Sequence, residues 1–117
     1  MGIDITGLRE IDGVLGGALV DSETGFMLAS FGGSDFDVEA AGAANAKVVK
    51  VKLDAIKSLG WNEPIDDILI TLGTQCHLIR PLSRSPKAFL YVALDKRVAN
   101  QGRARLQLKA VEQSVTL

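Results

Sequence analysis

The stretch IDDILITLGTQCHLIRPL, from Ile65 to Leu82, constrains the fold more than any other part of the chain. Its first half, Ile65 to Leu72, is a block of branched aliphatics and threonine. That composition suits a pleated, well-buried strand, and the block is too short for a free-standing helix. Gly73 offers a left-handed conformation for a reversal at Gly73-Thr74. A second run, Cys76 to Leu82, then starts again until Pro81 removes a donor from its ladder. The segment reads as a β-hairpin with no recognisable catalytic set on it, which points toward a binding or regulatory module.

Other elements fall into place around that hairpin. Asp4 or Thr6 is placed to cap a short helix carrying Leu8 and Ile11, because a side-chain oxygen there can accept a free first-turn amide. Val14 to Val20 (VLGGALV) and Phe26 to Phe31 (FMLASF) read as two strands. Asp21-Ser22-Glu23-Thr24-Gly25 supplies the turn between them, with Gly25 at its left-handed position. Gly16 and Gly17 are unfavourable inside a strand, so they predict a bulge or a helix pressed against bare backbone. They do not form a phosphate cradle: no Lys-Ser/Thr pair follows, and the spacing is wrong for a dinucleotide fingerprint.

A long helix is predicted from Asp37 to a left-handed cap at Gly60. At about 100° per residue, Glu39, Lys47, Lys50, Asp54 and Lys57 share one polar arc. Val38, Ala41, Val48, Val49, Val51, Leu53, Ala55, Ile56 and Leu59 spread over more than half of the circumference. A helix lying on one sheet needs an apolar stripe only somewhat over about 100° wide. The excess implies a second contact, most simply another copy of the chain. Lys52 fits such a seam, since its stem can pack while its ammonium reaches the edge. Trp61, Asn62, Glu63 and Pro64 lead into the hairpin, Arg84-Ser85-Pro86-Lys87 leads out of it, Ala88 to Leu94 forms a fifth strand, and Asp95 is expected to begin a final helix. Short loops favour antiparallel neighbours.

Bulk properties narrow the function classes. The 117 residues are long enough for one domain with its own core, and 47% are hydrophobic. Lys+Arg at 13 against Asp+Glu at 14 leaves no basic excess to meet a phosphate backbone, so no nucleic-acid partner is expected. The aromatic residues are few and lie outside basic clusters, which argues against single-strand stacking. The lone cysteine, Cys76, fits a reducing compartment, and neither an export signal nor a membrane-length apolar run is present, so the expected location is the cytoplasm.

Candidate chemistry is sparse. Cys76 and His77 are the only thiol and imidazole, yet neighbours on a strand point to opposite faces, so they cannot form a dyad. Cys76 is expected as a buried filler and His77 as a surface or edge residue. A metal site would need carboxylates for most of its ligands, and Asp66 and Asp67 diverge on an extended chain, so neither metal nor cofactor is expected. Asp66 and Asp67 are read as one solvated carboxylate and one near a helix end or lysine. Arg80 is read as a surface ion pair, its alternative being a guanidinium offered to a partner's nucleotide.

The segments GVLGGALVDSETGFMLASFG (Gly13 to Gly32), DDILITLGTQCHLIRPL (Asp66 to Leu82) and FLYVALDKRVANQGRARLQL (Phe89 to Leu108) together resemble a Roadblock / dynein light chain family domain of the bacterial type. The resemblance runs over nearly the whole chain and implies a single Roadblock-like domain, 1–117. It rests on apolar patterns and turns, and it supplies no catalytic residue. It implies an α/β (α+β) three-layer sandwich: a five-stranded antiparallel sheet with the first and last helices on one face and the long central helix on the other. It also implies a homodimer in which central helices pair and third strands meet edge to edge, and a Ras-like small GTPase as partner. On that footing Ala41, Val48, Lys52, Ala55, Leu59, Ile68 and Ile70 are the expected dimer contacts, and Lys47, Lys50 and Asp54 the expected partner-binding residues. Fold alone does not fix function. The readings to be weighed are therefore a non-enzymatic, homodimeric GTPase regulator, a small-molecule sensor with a pocket at Gly16-Gly17, a structural dimerisation scaffold, and a thiol enzyme using Cys76.

Overall fold

The structure, a computed structural model, describes residues 3–116. A short 3-10 helix, Thr6–Glu10, opens the chain. Strands β1 (Val14–Asp21) and β2 (Met27–Gly32) follow, then helix α1 (Val38–Ser58). Three further strands, β3 (Ile68–Thr71), β4 (Gln75–Pro81) and β5 (Ala88–Asp95), precede helix α2 (Gln101–Ser114). The five strands form one sheet in the order β2-β1-β5-β4-β3, and every neighbouring pair is antiparallel. The fold class is thus α+β, as the sequence predicts.

Strand residues of alternate parity feed two cores. Leu19, Cys76, Leu78, Leu90, Val92 and Leu94 join Leu8 and Ile11 from the first turn of chain and Ala104 and Leu108 from α2. Ala18, Val20, Ile79, Phe89, Tyr91 and Ala93 join Val38, Ala46 and Val49 from α1. The period-2 geometry of a strand sends successive side chains to opposite faces, so β5 (AFLYVALD) is apolar throughout because both its faces are covered.

Local chemistry explains the boundaries of α1. The Asp37 carboxylate accepts the Ala40 N–H at 3.0 Å, satisfying a first-turn donor. At the other end Gly60 takes φ +73°. Its N–H reaches the Lys57 carbonyl at 3.0 Å and the Trp61 N–H reaches Ile56 at 3.2 Å, the paired bonds of a Schellman stop. The N-cap of the 3-10 helix is Ile5, not Asp4 or Thr6, and carries no side-chain cap; Asp4, one residue earlier, accepts both the N–H and the hydroxyl of Thr6. Gly25 adopts φ +77° in the β1–β2 turn.

The glycine pair in β1 meets both expectations held for it. The ladder with β5 shifts between Val14 and Gly16. A Cβ on Gly17 would lie 2.8 Å from the Phe31 ring and 3.2 Å from Leu8 of the 3-10 helix. Gly17→Ala is therefore an overpacking change and is expected to cost about 1–3 kcal/mol of stability, read as a lower urea midpoint.

Several boundaries differ from the sequence reading. The third strand is confined to Ile68–Thr71 rather than Ile65 to Leu72. In the ladder Ile68 faces Ile79, so an extension would bring Asp66 opposite Pro81, which has no N–H to offer on that side. The Gly73-Thr74 reversal uses no positive φ; it is closed by the Leu72 N–H on the Gln75 carbonyl at 2.8 Å. The last helix does not begin at Asp95, which ends β5 and caps a turn by accepting the Arg97 N–H. Asn100 caps α2 instead, its side chain accepting the Arg103 N–H at 2.9 Å.

Candidate interaction surface

Helix α1 packs mainly over β1 and β2. It buries Val38, Gly42, Asn45, Ala46 and Val49, whose positions form a stripe along the sheet-facing side. The buried Asn45 amide donates to the Ala41 carbonyl at 2.8 Å, which satisfies its polar group within the helix. The stripe accounts for only part of the helix's apolar surface. Val48 remains 40% exposed, Val51 68% and Leu59 57%.

These exposed positions are not scattered. At about 100° per residue, Ala41, Val48, Lys52, Ala55 and Leu59 fall within about 60° of one another on the flank beside the buried stripe. Ala41 and Ala55 are half-buried, and Val48, Lys52 and Leu59 are exposed. The sheet adds a second component. Ile68 packs against the α1-side core, and Ile70, two residues on, faces His77 across the β3–β4 ladder. Both isoleucines are half-buried. Strand β3 is also a terminal strand, so its outer edge presents unpaired backbone groups. The seven expected dimer residues thus share one side of the sheet, five on α1 and two on the terminal strand β3.

His77 belongs to this same side and was not anticipated there. It is half-buried, with its ring edge-on to Tyr91 at 5.4 Å between centroids and to Phe36 at 6.5 Å. Nε2 lies 2.9 Å from the Gln75 Oε1. Burial pushes the imidazole below its ordinary value, and it also pushes the Tyr91 phenol up. Strand register carried the signal: His77 shares its parity with Ile79, which is a core residue.

Lys47, Lys50 and Asp54, expected to bind a partner, sit on the other flank, roughly 100–160° around the helix from Val48. All three are exposed. Lys50 and Asp54 border an open groove of about 270 Å³ that also includes Ser22, Glu23, Leu53, Lys57, Pro86 and Lys87. The charged flank and the apolar flank are therefore separate surfaces of one helix.

The other candidates resolve differently. Cys76 is fully buried on the face opposite His77, and burial pushes its thiol up, so the pair forms no nucleophile and base. Asp67 is held by Arg105 through two bonds of 3.0 and 3.1 Å, whereas Asp66 is exposed. Arg80 is not at the surface: its Nε meets the Glu112 carboxylate at 3.0 Å, with the side chains only 12% and 5% exposed. No group of three or more potential metal-ligating side chains occurs among the described residues. The Gly16-Gly17 backbone is closely covered by Phe31, Phe36 and Leu8, which removes the pocket a sensor would need there. No helix among the described residues is long and apolar enough to cross a membrane.

The sequence matches no protein-family profile and no curated protein. Its fold has clear counterparts among solved structures. A Roadblock/LC7 domain from Streptomyces avermitilis superposes with a TM-score of 0.78 at 10% identity, over 93% of this chain and 88% of that one. Myxococcus xanthus MglB gives 0.72 at 21% identity, over 86% and 72%. An MglB in a tetrameric arrangement gives 0.74 at 19% identity, over 92% and 78%. The chain has the Roadblock/LC7 fold.

Proposed function

We propose that this chain is a single Roadblock-like domain, 1–117, with the three-layer arrangement its resemblance implies. It acts as a non-enzymatic regulatory module of the cytoplasm. Two copies pair through Ala41, Val48, Lys52, Ala55, Leu59, Ile68 and Ile70, and the pair binds a small Ras-like GTPase through a surface that includes Lys47, Lys50 and Asp54.

One observation carries the reading: α1 leaves an apolar flank exposed on the same side of the sheet as Ile68 and Ile70, and the strand that carries these two isoleucines has an open edge. An apolar stripe of that kind is unfavourable in water, and a twofold copy presents the same stripe in return. Edge pairing of β3 would at the same time satisfy backbone groups left open at the sheet's end. The tetrameric arrangement of MglB, which has the same fold, supports self-association as the mode of assembly.

The GTPase half of the proposal rests on the family resemblance together with the separate charged flank. Charged rims steer encounter and select partners more than they supply affinity. Purified Ras-like GTPases loaded with GDP or a GTP analogue are the test. The expected result is a complex with one of them, and at least a tenfold weakening for Lys50→Glu with the pairing of the two copies unchanged. Absence of binding across the set, or equal binding by Lys50→Glu, would contradict the assignment.

A further inference from the structure

We propose that pairing of two copies is gated by protonation of His77, so that the assembly forms when the imidazole is neutral and comes apart as it takes up a proton. The inference rests on the pairing surface described above.

Its basis is position. His77 is the chain's single histidine, and it lies on the α1 side of the sheet beside the expected contact Ile70. In the isolated subunit it is only half-buried, with Phe36 and Tyr91 against its ring, so a covering copy would remove most of its remaining water. Its environment offers little to hold a positive charge. From β4 it meets the neutral amide of Gln75, from β5 the phenol of Tyr91 at 3.5 Å, from β3 Ile70, and from the segment before α1 Phe36. Arg9 and Asp35 border the cleft that Gln75 also lines, one of each sign. The one cation on the apolar flank of α1, Lys52, adds like charge rather than a counter-ion.

Covering an imidazolium in such a setting buries a charge with no counter-ion, whereas the neutral ring, which donates to Gln75 Oε1 just as the charged one would, packs as an aromatic without that cost. The sign follows from linkage. Burial lowers the proton affinity of His77 in the subunit, and pairing buries it further, so the separated copies bind more protons than the pair. Pairing is therefore favoured while the imidazole of the separate subunit is neutral, and it weakens as the pH falls through that subunit's value, which burial places below the ordinary imidazole range.

Sedimentation equilibrium at pH 7.5, 6.0 and 5.0, with circular dichroism at each pH to confirm the fold, tests this. The wild type is expected to lose affinity for itself at least tenfold between the highest and lowest pH, while His77→Gln, which cannot take up a proton, is expected to change by less than about threefold over the same range. A wild-type pair whose dissociation constant does not move with pH would overturn the gate while leaving the pairing intact. So would an equal pH response in His77→Gln. A wild type that is monomeric at every pH would overturn both the gate and the pairing on which it rests.

Discussion

Val48→Asp is expected to leave the subunit folded and to abolish its pairing. The two requirements are separable because Val48 is 40% exposed in the subunit, so a carboxylate there stays hydrated while the copies are apart. Helix propensity changes little between valine and aspartate at an interior position. In the pair, by contrast, the twofold relation brings in two carboxylates, each losing water while the nearest cation, Lys52 one turn on, is expected to keep its ammonium at the edge of the seam. Leaving a charge buried without a partner costs about 3–5 kcal/mol, which corresponds to a loss of affinity of at least about a hundredfold. Circular dichroism should resemble that of the wild type, urea unfolding should stay cooperative with a midpoint that no longer depends on protein concentration, and the sedimentation mass should fall to that of one chain. A variant that remains paired would remove Val48 from the seam. The neighbouring Lys47 lies about 100° around the helix, and the same substitution there is expected to leave pairing unchanged, which separates position from charge.

Arg80→Met is expected to give the largest loss of stability, about 3–5 kcal/mol at neutral pH, without removing any residue of the pairing surface. The Arg80 guanidinium ties β4 to α2 through Glu112, whose other carboxylate oxygen accepts the Ser83 hydroxyl at 3.1 Å and, at 3.4 Å, its N–H. The methionine would fill similar volume, but it would leave a carboxylate that is 5% exposed with only Ser83 as a donor. Burial alone would raise the Glu112 carboxyl; the bonds from Arg80 and Ser83 outweigh it and hold the group below its ordinary value. A carboxyl depressed in the folded state contributes stability above its unfolded value of about 4.3, and that contribution is lost as the pH falls through the folded value. Without Arg80 the carboxyl is no longer held low. The penalty of Arg80→Met is therefore expected to shrink as the solution is acidified below about pH 5, where Glu112 can take a proton and cease to be a buried charge. Urea titrations of both proteins at pH 7 and pH 4.5 measure this. A destabilisation of equal size at both values would mean that lost packing, not charge, dominates.

Local signals in the sequence placed most of the architecture. Asp37 and Gly60 each carry a capping chemistry that depends only on adjacent backbone, and they bound α1 as the structure has it. Gly25 and the apolar alternation around it fixed the first hairpin in the same way. Failures arose where a residue's role is decided by something distant in sequence. The third strand is cut short by Pro81, which lies on the neighbouring strand rather than on β3 itself. Asp95 and Asn100 are both good helix-capping types, and only the continuation of β5 to Asp95 shows which of the two is free to start α2.

The candidate surface was legible to a similar extent. The width of the α1 apolar arc is a one-dimensional pattern, and it identified Val48 and Leu59 as surplus to the sheet; the structure leaves both exposed. From sequence Arg80 reads as a surface ion pair, because its actual partner, Glu112, lies on α2 and nothing local links them. From sequence His77 reads as a surface or edge residue, whereas Phe36, Tyr91 and Gln75 enclose part of it. Strand parity fixes its face, but its degree of cover depends on Phe36, which comes from the distant segment before α1.

The central claim is that α1 carries apolar surface for two subunits to share. Light scattering of the wild-type chain at neutral pH, across concentrations from low to high micromolar, tests it most directly. The account predicts a species of twice the chain's mass that persists on dilution. A monomer that shows no increase in mass at the highest concentration would contradict it.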